Sequence, residues 1–172
     1  MTPQATSLAA IFVRELNTLR MEIEAYPSEA ELWRVVPGIS NSGGTLALHL
    51  AGNLQHFIGA ILGKSGYLRD RDAEFASRDV SRTELLRQVE EASATVRRTL
   101  ELLDAAALER TYPEPVATVR LRTGDFLTHL ASHLAYHLGQ VNYHRRILTG
   151  GAPLSGALSP TQLASATAES GG

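Results

Sequence analysis

Six histidines are the residues best placed to do chemistry, and they fall in two stretches: His49 and His56, then His129, His133, His137 and His144. At about 100° per residue, a helix carrying the second group would hold all four imidazoles within an arc of roughly 80°. Leu127, Leu130, Leu134, Leu138 and Val141 would make that helix amphipathic beside them. A solvent-facing stripe more often carries lysine, glutamate and arginine. Two imidazoles one turn apart can reach a common ion at about 2.0–2.1 Å per bond, whereas those seven or eight residues apart stand about 10–12 Å apart along the axis. The spacing therefore offers His129 with His133, or His133 with His137, met by His49 or His56. His133 is common to both choices, and periodicity decides no further. His129 and His144 read as ordinary core histidines, hydrogen-bonded to a carbonyl or a neighbour.

Three neutral nitrogen ligands leave positions for water, as in a catalytic rather than a closed structural site. Imidazole suits zinc, nickel and iron alike. The chain has no His-Glu-x-x-His metalloprotease motif, no repeated Glu-x-x-His of a di-iron bundle, no Gly-x-Ser-x-Gly elbow and no glycine-rich phosphate loop. Asn53, four residues beyond His49, could orient a water or substrate. Gln140 could support a ligating histidine from behind. His56 lies seven residues beyond His49, hence on the same α-helical face, and is the candidate proton shuttle. Against each stands the plainer reading of an interhelical hydrogen bond or a satisfied residue at a pocket edge.

Four helical stretches must position these residues. Leu8, Ile11, Phe12, Leu16, Leu19 and Ile23 predict a helix over residues 7–25, stopped by Tyr26-Pro27, with a further turn over 29–33. Asn41-Ser42-Gly43-Gly44 reads as a flexible, capping lead into a second helix over 45–62. Residues 63–80 form a loop whose charge run, Arg69-Asp70-Arg71-Asp72-Ala73-Glu74, reads as solvated, with a rim that orients a polar ligand as the alternative. Ser81 and Glu84 predict a capping box for a third helix reaching Asp104. Residues 112–122 read as an extended crossover with a short hairpin. Thr123 is the expected cap of the fourth helix, which ends at Gly150-Gly151. Trp33, Tyr67 and Phe75 could line a pocket near the loops, against the plainer reading of ordinary packing. The expected fold is all-α, a four-helix bundle over residues 1–150, followed by a flexible tail over 151–172.

The composition narrows the function classes. The 172 residues are 44 % hydrophobic, enough for one compact domain. Sixteen Lys and Arg against 18 Asp and Glu give a formal charge of -2, which offers no nucleic-acid surface and no polybasic membrane patch. With no cysteine there is no disulfide, thiolate site or cysteine nucleophile. No run approaches the roughly 18 apolar residues of a membrane span, and residues 1–10 lack the pattern of a signal peptide. A cytoplasmic protein is expected.

Two strings carry a resemblance. Asn41-Ser42-Gly43-Gly44-Thr45-Leu46-Ala47-Leu48-His49-Leu50-Ala51-Gly52-Asn53-Leu54 and His133-Leu134-Ala135-Tyr136-His137-Leu138-Gly139-Gln140 resemble the second- and fourth-helix histidine motifs of the DinB/YfiT-like family, regarded as metal-dependent enzymes. The segment from Gly66 to Phe75 resembles a feature of one uncharacterised branch. The resemblance covers roughly residues 9–150. It implies an up-down-down-up bundle, commonly a homodimer, with His49, His133 and His137 as ligands of a zinc or nickel ion, iron being compatible. It further implies a small-molecule substrate and S-transfer involving a low-molecular-weight thiol, while a metal-bound water of lowered pKa would allow hydrolysis instead. The competing expectation is a non-catalytic metal-binding or stress-related helical protein.

Overall fold

The first helix begins earlier than its apolar stripe predicts, because Thr2 and Pro3 supply a start signal outside the stripe. Thr2 Oγ1 accepts the Ala5 N–H at 3.1 Å, and Pro3 sits in the first turn, where a missing N–H costs nothing. The computed structural model describes residues 2–154 and 159–167. Within them the chain forms α1 (Pro3–Glu24), α2 (Glu29–Trp33), α3 (Gly43–Leu54), a π-helical continuation of α3 (Gln55–Leu62), α4 (Arg71–Ala76), α5 (Arg82–Glu101), α6 (Ala105–Glu109) and α7 (Thr123–Thr149). A 3-10 turn at Pro160–Gln162 follows. The expectation of a flexible tail over 151–172 falls partly on residues outside those described.

The long helices α1, α3, α5 and α7 make the up-down-down-up four-helix bundle that the resemblance implies. α1 packs on α5 and α7, and α3 packs on the same two from the opposite side, so consecutive helices α1 and α3 lie across the bundle. Phe12, Leu16, Leu19 and Ile23 of α1 meet Leu85, Val89, Val96 and Leu100 of α5 and Leu127, Leu134 and Val141 of α7 in one buried cluster. Every residue of α3 from Gly43 to Leu54 is buried, since α2 and α4 cover what α5 and α7 leave. That is why this helix is apolar nearly all round.

Gly43 and Gly44 belong to that packing and are not a flexible lead. Ser42 Oγ caps α3 by accepting the Thr45 N–H at 3.1 Å. A Cβ on Gly43 would stand 2.9 Å from Tyr26 Cζ, and one on Gly44 2.8 Å from the Trp33 ring. The glycines let two aromatic side chains lie directly on the helix backbone. Trp33 is fixed there by its Nε1–H, which donates to Val80 O at 2.9 Å.

Two capping expectations need correction. Ser81 does cap α5, accepting the Glu84 N–H at 3.2 Å, but the Glu84 carboxylate turns away to Arg87 and Gln88. Half of the capping box is present, because a charged partner one turn on competes with the backbone N–H. Thr123 is the first residue of α7 rather than its cap. Its Oγ1 donates to Arg110 O at 3.0 Å, tying the helix start to the end of α6. The expected crossover hairpin is there: Val116 and Val119 exchange backbone hydrogen bonds at 2.9 and 3.0 Å around a turn in which Ala117 and Thr118 both have positive φ. Gly150, in the left-handed conformation, ends α7 as expected.

Candidate metal centre

His49 lies in the middle of α3, and His133 and His137 lie one turn apart on α7, which packs against it. One ring nitrogen from each of the three lies within 4.8 Å of the others. His49 Nε2 and His133 Nε2 stand 3.4 Å apart. Bonds of about 2.0–2.1 Å at tetrahedral angles place neighbouring ligand nitrogens about 3.3–3.4 Å apart. The donor set therefore fits a divalent cation: neutral nitrogens, close spacing and two packed helices to hold them.

The outer nitrogens of two of these rings are already engaged. His49 Nδ1 faces Glu74 Oε2 at 3.0 Å, and His137 Nδ1 faces Gln140 Oε1 at 2.7 Å. Arg69 Nη2 also approaches His49 Nδ1, at 3.4 Å, but donates to Glu74 Oε2 at 2.8 Å. The nearest partner of each ring is an acceptor, so each Nδ1 carries the proton and each Nε2 keeps its lone pair for the cluster. His133 Nδ1 is buried with no hydrogen-bond partner among the described residues. Burial first, and then the neighbouring His137, His49 and His129, push the His133 pKa down to about 4. Burial also lowers that of His137, against the Gln140 hydrogen bond. Both rings are thus neutral donors at neutral pH.

The charge run is where the reading as a solvated loop fails. Asp70 caps α4 through the Ala73 N–H at 2.9 Å, and the short helix folds back onto α3. This turns Arg69 and Glu74 inward, leaving their side chains 11 % and 7 % exposed. Arg69 grips Glu74 with Nε at 2.7 Å from Oε1 and Nη2 at 2.8 Å from Oε2. Burial pushes the Glu74 carboxyl up, but the hydrogen bonds from Arg69 and His49 outweigh it and hold the group below the usual carboxylate range. Sequence reasoning missed Glu74 and Arg69 as parts of the site. The available signal was the resemblance of this segment to one branch of a metal-binding family, set against a run of charges that locally looks like solvated loop.

The other candidates are distributed as follows. Asn53 is buried one turn beyond His49, and its Oδ1 has no hydrogen-bond partner among the described residues. Gln140 touches His137 as described. His56 lies on the π-helical segment with its ring against Phe57 at 4.8 Å, outside the three-imidazole cluster. The expectation that it shares the face of His49 rested on unbroken α-helical geometry. From Gln55 onward the backbone follows the wider π spacing, with Gly63 N–H donating to Ile58 O at 2.9 Å, and the charges of Arg69 and Glu74 both act on His56. His144 is the satisfied core histidine expected: Nδ1 accepts from the Tyr26 hydroxyl at 2.7 Å, and Nε2–H donates to Arg34 O at 2.8 Å. His129 is not a core residue but is exposed, near the Phe126 ring. Phe75 lies beside His49 with ring centroids 4.8 Å apart, so it packs on the cluster and not merely on the loops. A cavity of about 350 Å³, bounded by Ser40, Asn41, Leu46, Tyr143 and His144, shares Gln140 with the cluster.

The lowered histidines set a pH dependence for the metal-free protein. His133, His137, His144 and His56 all have folded-state values below the ordinary 6.5. In that window the unfolded chain binds more protons than the folded one, so stability falls as pH drops from about 6.5 towards 4. Glu74 adds a loss only further down, below the ordinary carboxylate value. The melting temperature without metal should thus be level above neutrality and fall through this window, with a shallower fall in His133→Gln. A flat profile would contradict the assignment of these rings as neutral donors.

The sequence profile described as the DinB superfamily matches residues 11–141 of the chain. No curated protein matches it.

Proposed function

Since the chain belongs to the DinB superfamily and gathers three imidazoles at one point, we propose that it binds one divalent metal ion through His49, His133 and His137 and acts on a small molecule. Zinc or nickel is the ion proposed, with iron compatible with the same donors. The observation that carries this reading is the approach of three ring nitrogens to within 4.8 Å, with His133 and His137 only half-buried and thus open to an incoming ligand. A divalent ion there would supply Lewis acidity, lowering the pKa of a water or thiol nucleophile.

The roles proposed for the protein's own groups follow from their positions. Gln140 holds the His137 ring with its Nε2 towards the cluster. Asn53 offers a buried carboxamide oxygen that can accept a hydrogen bond from a substrate or a water. His56, which burial keeps in its neutral form at neutral pH, is the proton acceptor nearest in sequence. The proposed reaction is hydrolysis or S-transfer from a low-molecular-weight thiol. A homodimer in a cytoplasmic setting completes the reading. Tyr136, Tyr143 and Ile147 are exposed along α7, which carries no charge between Asp125 and Arg145, and among the described residues no helix is long and apolar enough to cross a membrane.

Zinc- and nickel-loaded protein, set against metal-stripped protein, should be screened with small thiols plus an electrophile and with ester and amide substrates. Turnover that requires the metal and disappears in His137→Ala is the expected result. Stoichiometric metal with no turnover in any arm would leave the non-catalytic metal-binding alternative.

A further inference from the structure

We infer that Glu74 is the positioning residue for His49, locked by Arg69 and seated against the bare backbone of Gly52. This rests on the metal-site reading above and deepens it. Three independent features of the chain converge on the same carboxylate.

The first is the hydrogen bond itself. Arg69 Nη2 also comes within 3.4 Å of His49 Nδ1, but it is committed to Glu74 Oε2 at 2.8 Å. With Glu74 ionised and nearer, at 3.0 Å, the Nδ1–H form of His49 satisfies the carboxylate and leaves the Nε2 lone pair on the side of His133. A free imidazole favours the opposite form, with the proton on Nε2, so the carboxylate must select this one. The second feature is the grip of Arg69 on both carboxylate oxygens. It fixes the carboxylate plane and balances its charge, so the pair brings no net charge to the cluster. Arg69 is itself held over the Phe57 ring, 5.6 Å from its centroid.

The third feature is Gly52. It lies three residues beyond His49 on α3, and a Cβ there would come within 2.8 Å of Glu74 Cδ and closer still to Oε1. No other residue type lets the carboxylate lie so near the helix and still reach His49. The glycine in the His49-x-x-Gly52 spacing thus has a chemical purpose: it is the floor of the slot that Glu74 fills. A carboxylate behind a ligating imidazole fixes ring orientation and raises ligand basicity.

Two variants approach the slot from different sides. Gly52→Ala obstructs it and leaves every charge in place, and Glu74→Leu removes the acceptor at similar volume. The tautomer of His49 is read by two-bond proton–nitrogen correlation on the metal-free folded protein at neutral pH. Wild type should show the Nδ1–H form and both variants should shift towards Nε2–H, whereas the control Phe75→Leu, which loosens the packing on the His49 ring and keeps the carboxylate, should retain Nδ1–H. Zinc and cobalt titrations should then show affinity reduced about 10–100-fold in each variant. An unchanged His49 tautomer in both folded variants would overturn the inference. If wild type binds neither metal while the tautomer still shifts, the metal reading fails and the positioning role of Glu74 stands.

Discussion

His133→Ala is expected to lose stoichiometric divalent-metal binding while keeping its fold. Wild-type protein purified without a tag and supplied with zinc, nickel or iron should carry about one ion per chain, the stoichiometry that one three-nitrogen site allows. His133 is the member common to every ligand set that the histidine spacing permits, and its Nε2 stands 3.4 Å from that of His49. Loss of an outer partner of a ligand typically costs 10–100-fold in affinity, and loss of the ligand itself should cost more, on the order of a hundredfold at least. The same variant removes a buried Nδ1 that has no partner, so it should not weaken the metal-free fold by leaving a polar group stranded. Elemental analysis gives the first readout. Thermal unfolding gives the second: at a free metal concentration about 100 times Kd, binding should add about 2.7 kcal/mol to wild type and nothing comparable to the variant. Equal metal content in the two proteins would remove His133 from the site, and the absence of metal from both after reconstitution would remove the site.

Glu22→Ala should be among the most destabilising single changes away from the histidines. Glu22 on α1 and Arg145 on α7 are almost fully buried, with side chains 1 % and 4 % exposed, and Arg145 Nε donates to Glu22 Oε2 at 2.5 Å. Asn142 donates to the other carboxylate oxygen at 2.6 Å, and Arg145 also reaches Ala152 O at 3.1 Å. Removing the carboxylate leaves a guanidinium buried without its counter-charge, a change that typically costs about 3–5 kcal/mol. For a chain of this size that corresponds to roughly 6–20 °C in melting temperature. Glu22→Leu combined with Arg145→Met should recover much of the loss, because the penalty lies in the unpaired charge rather than in the absence of the pair. Urea unfolding of the single and double variants checks both statements. A single variant within about 1 kcal/mol of wild type would show that water or local rearrangement relieves Arg145.

The two predictions concern groups that the sequence made legible to different degrees. The histidines stood out because six of them fall on two helices, and the helices because of stripes such as Leu8, Phe12, Leu16 and Leu19. Glu22 did not stand out. It lies between Leu19 and Ile23 at a position that a solvated glutamate could occupy equally well, and its partner is 123 residues away.

What the sequence by itself determined is therefore local. Helix periodicity, the Ser42 and Ser81 caps, the stop at Gly150 and the gathering of histidines on two helices are all set by neighbours within a few residues. Which histidines meet was decided by tertiary structure. His133 and His144 differ by only about 20° around the axis of α7, yet they stand about 16 Å apart along it. That axial offset puts His133 level with His49 and His144 level with Tyr26 and Arg34, so one joins the cluster and the other closes the core. The family resemblance picked out His49, His133 and His137, but spacing could not, since it carries angle and separation along one helix and no information on the level at which two helices pack. Glu74 and Arg69 are the same case in a loop. Only the docking of α4 on the bare surface of Gly52 turns a charge run inward and makes one of its carboxylates a partner of His49.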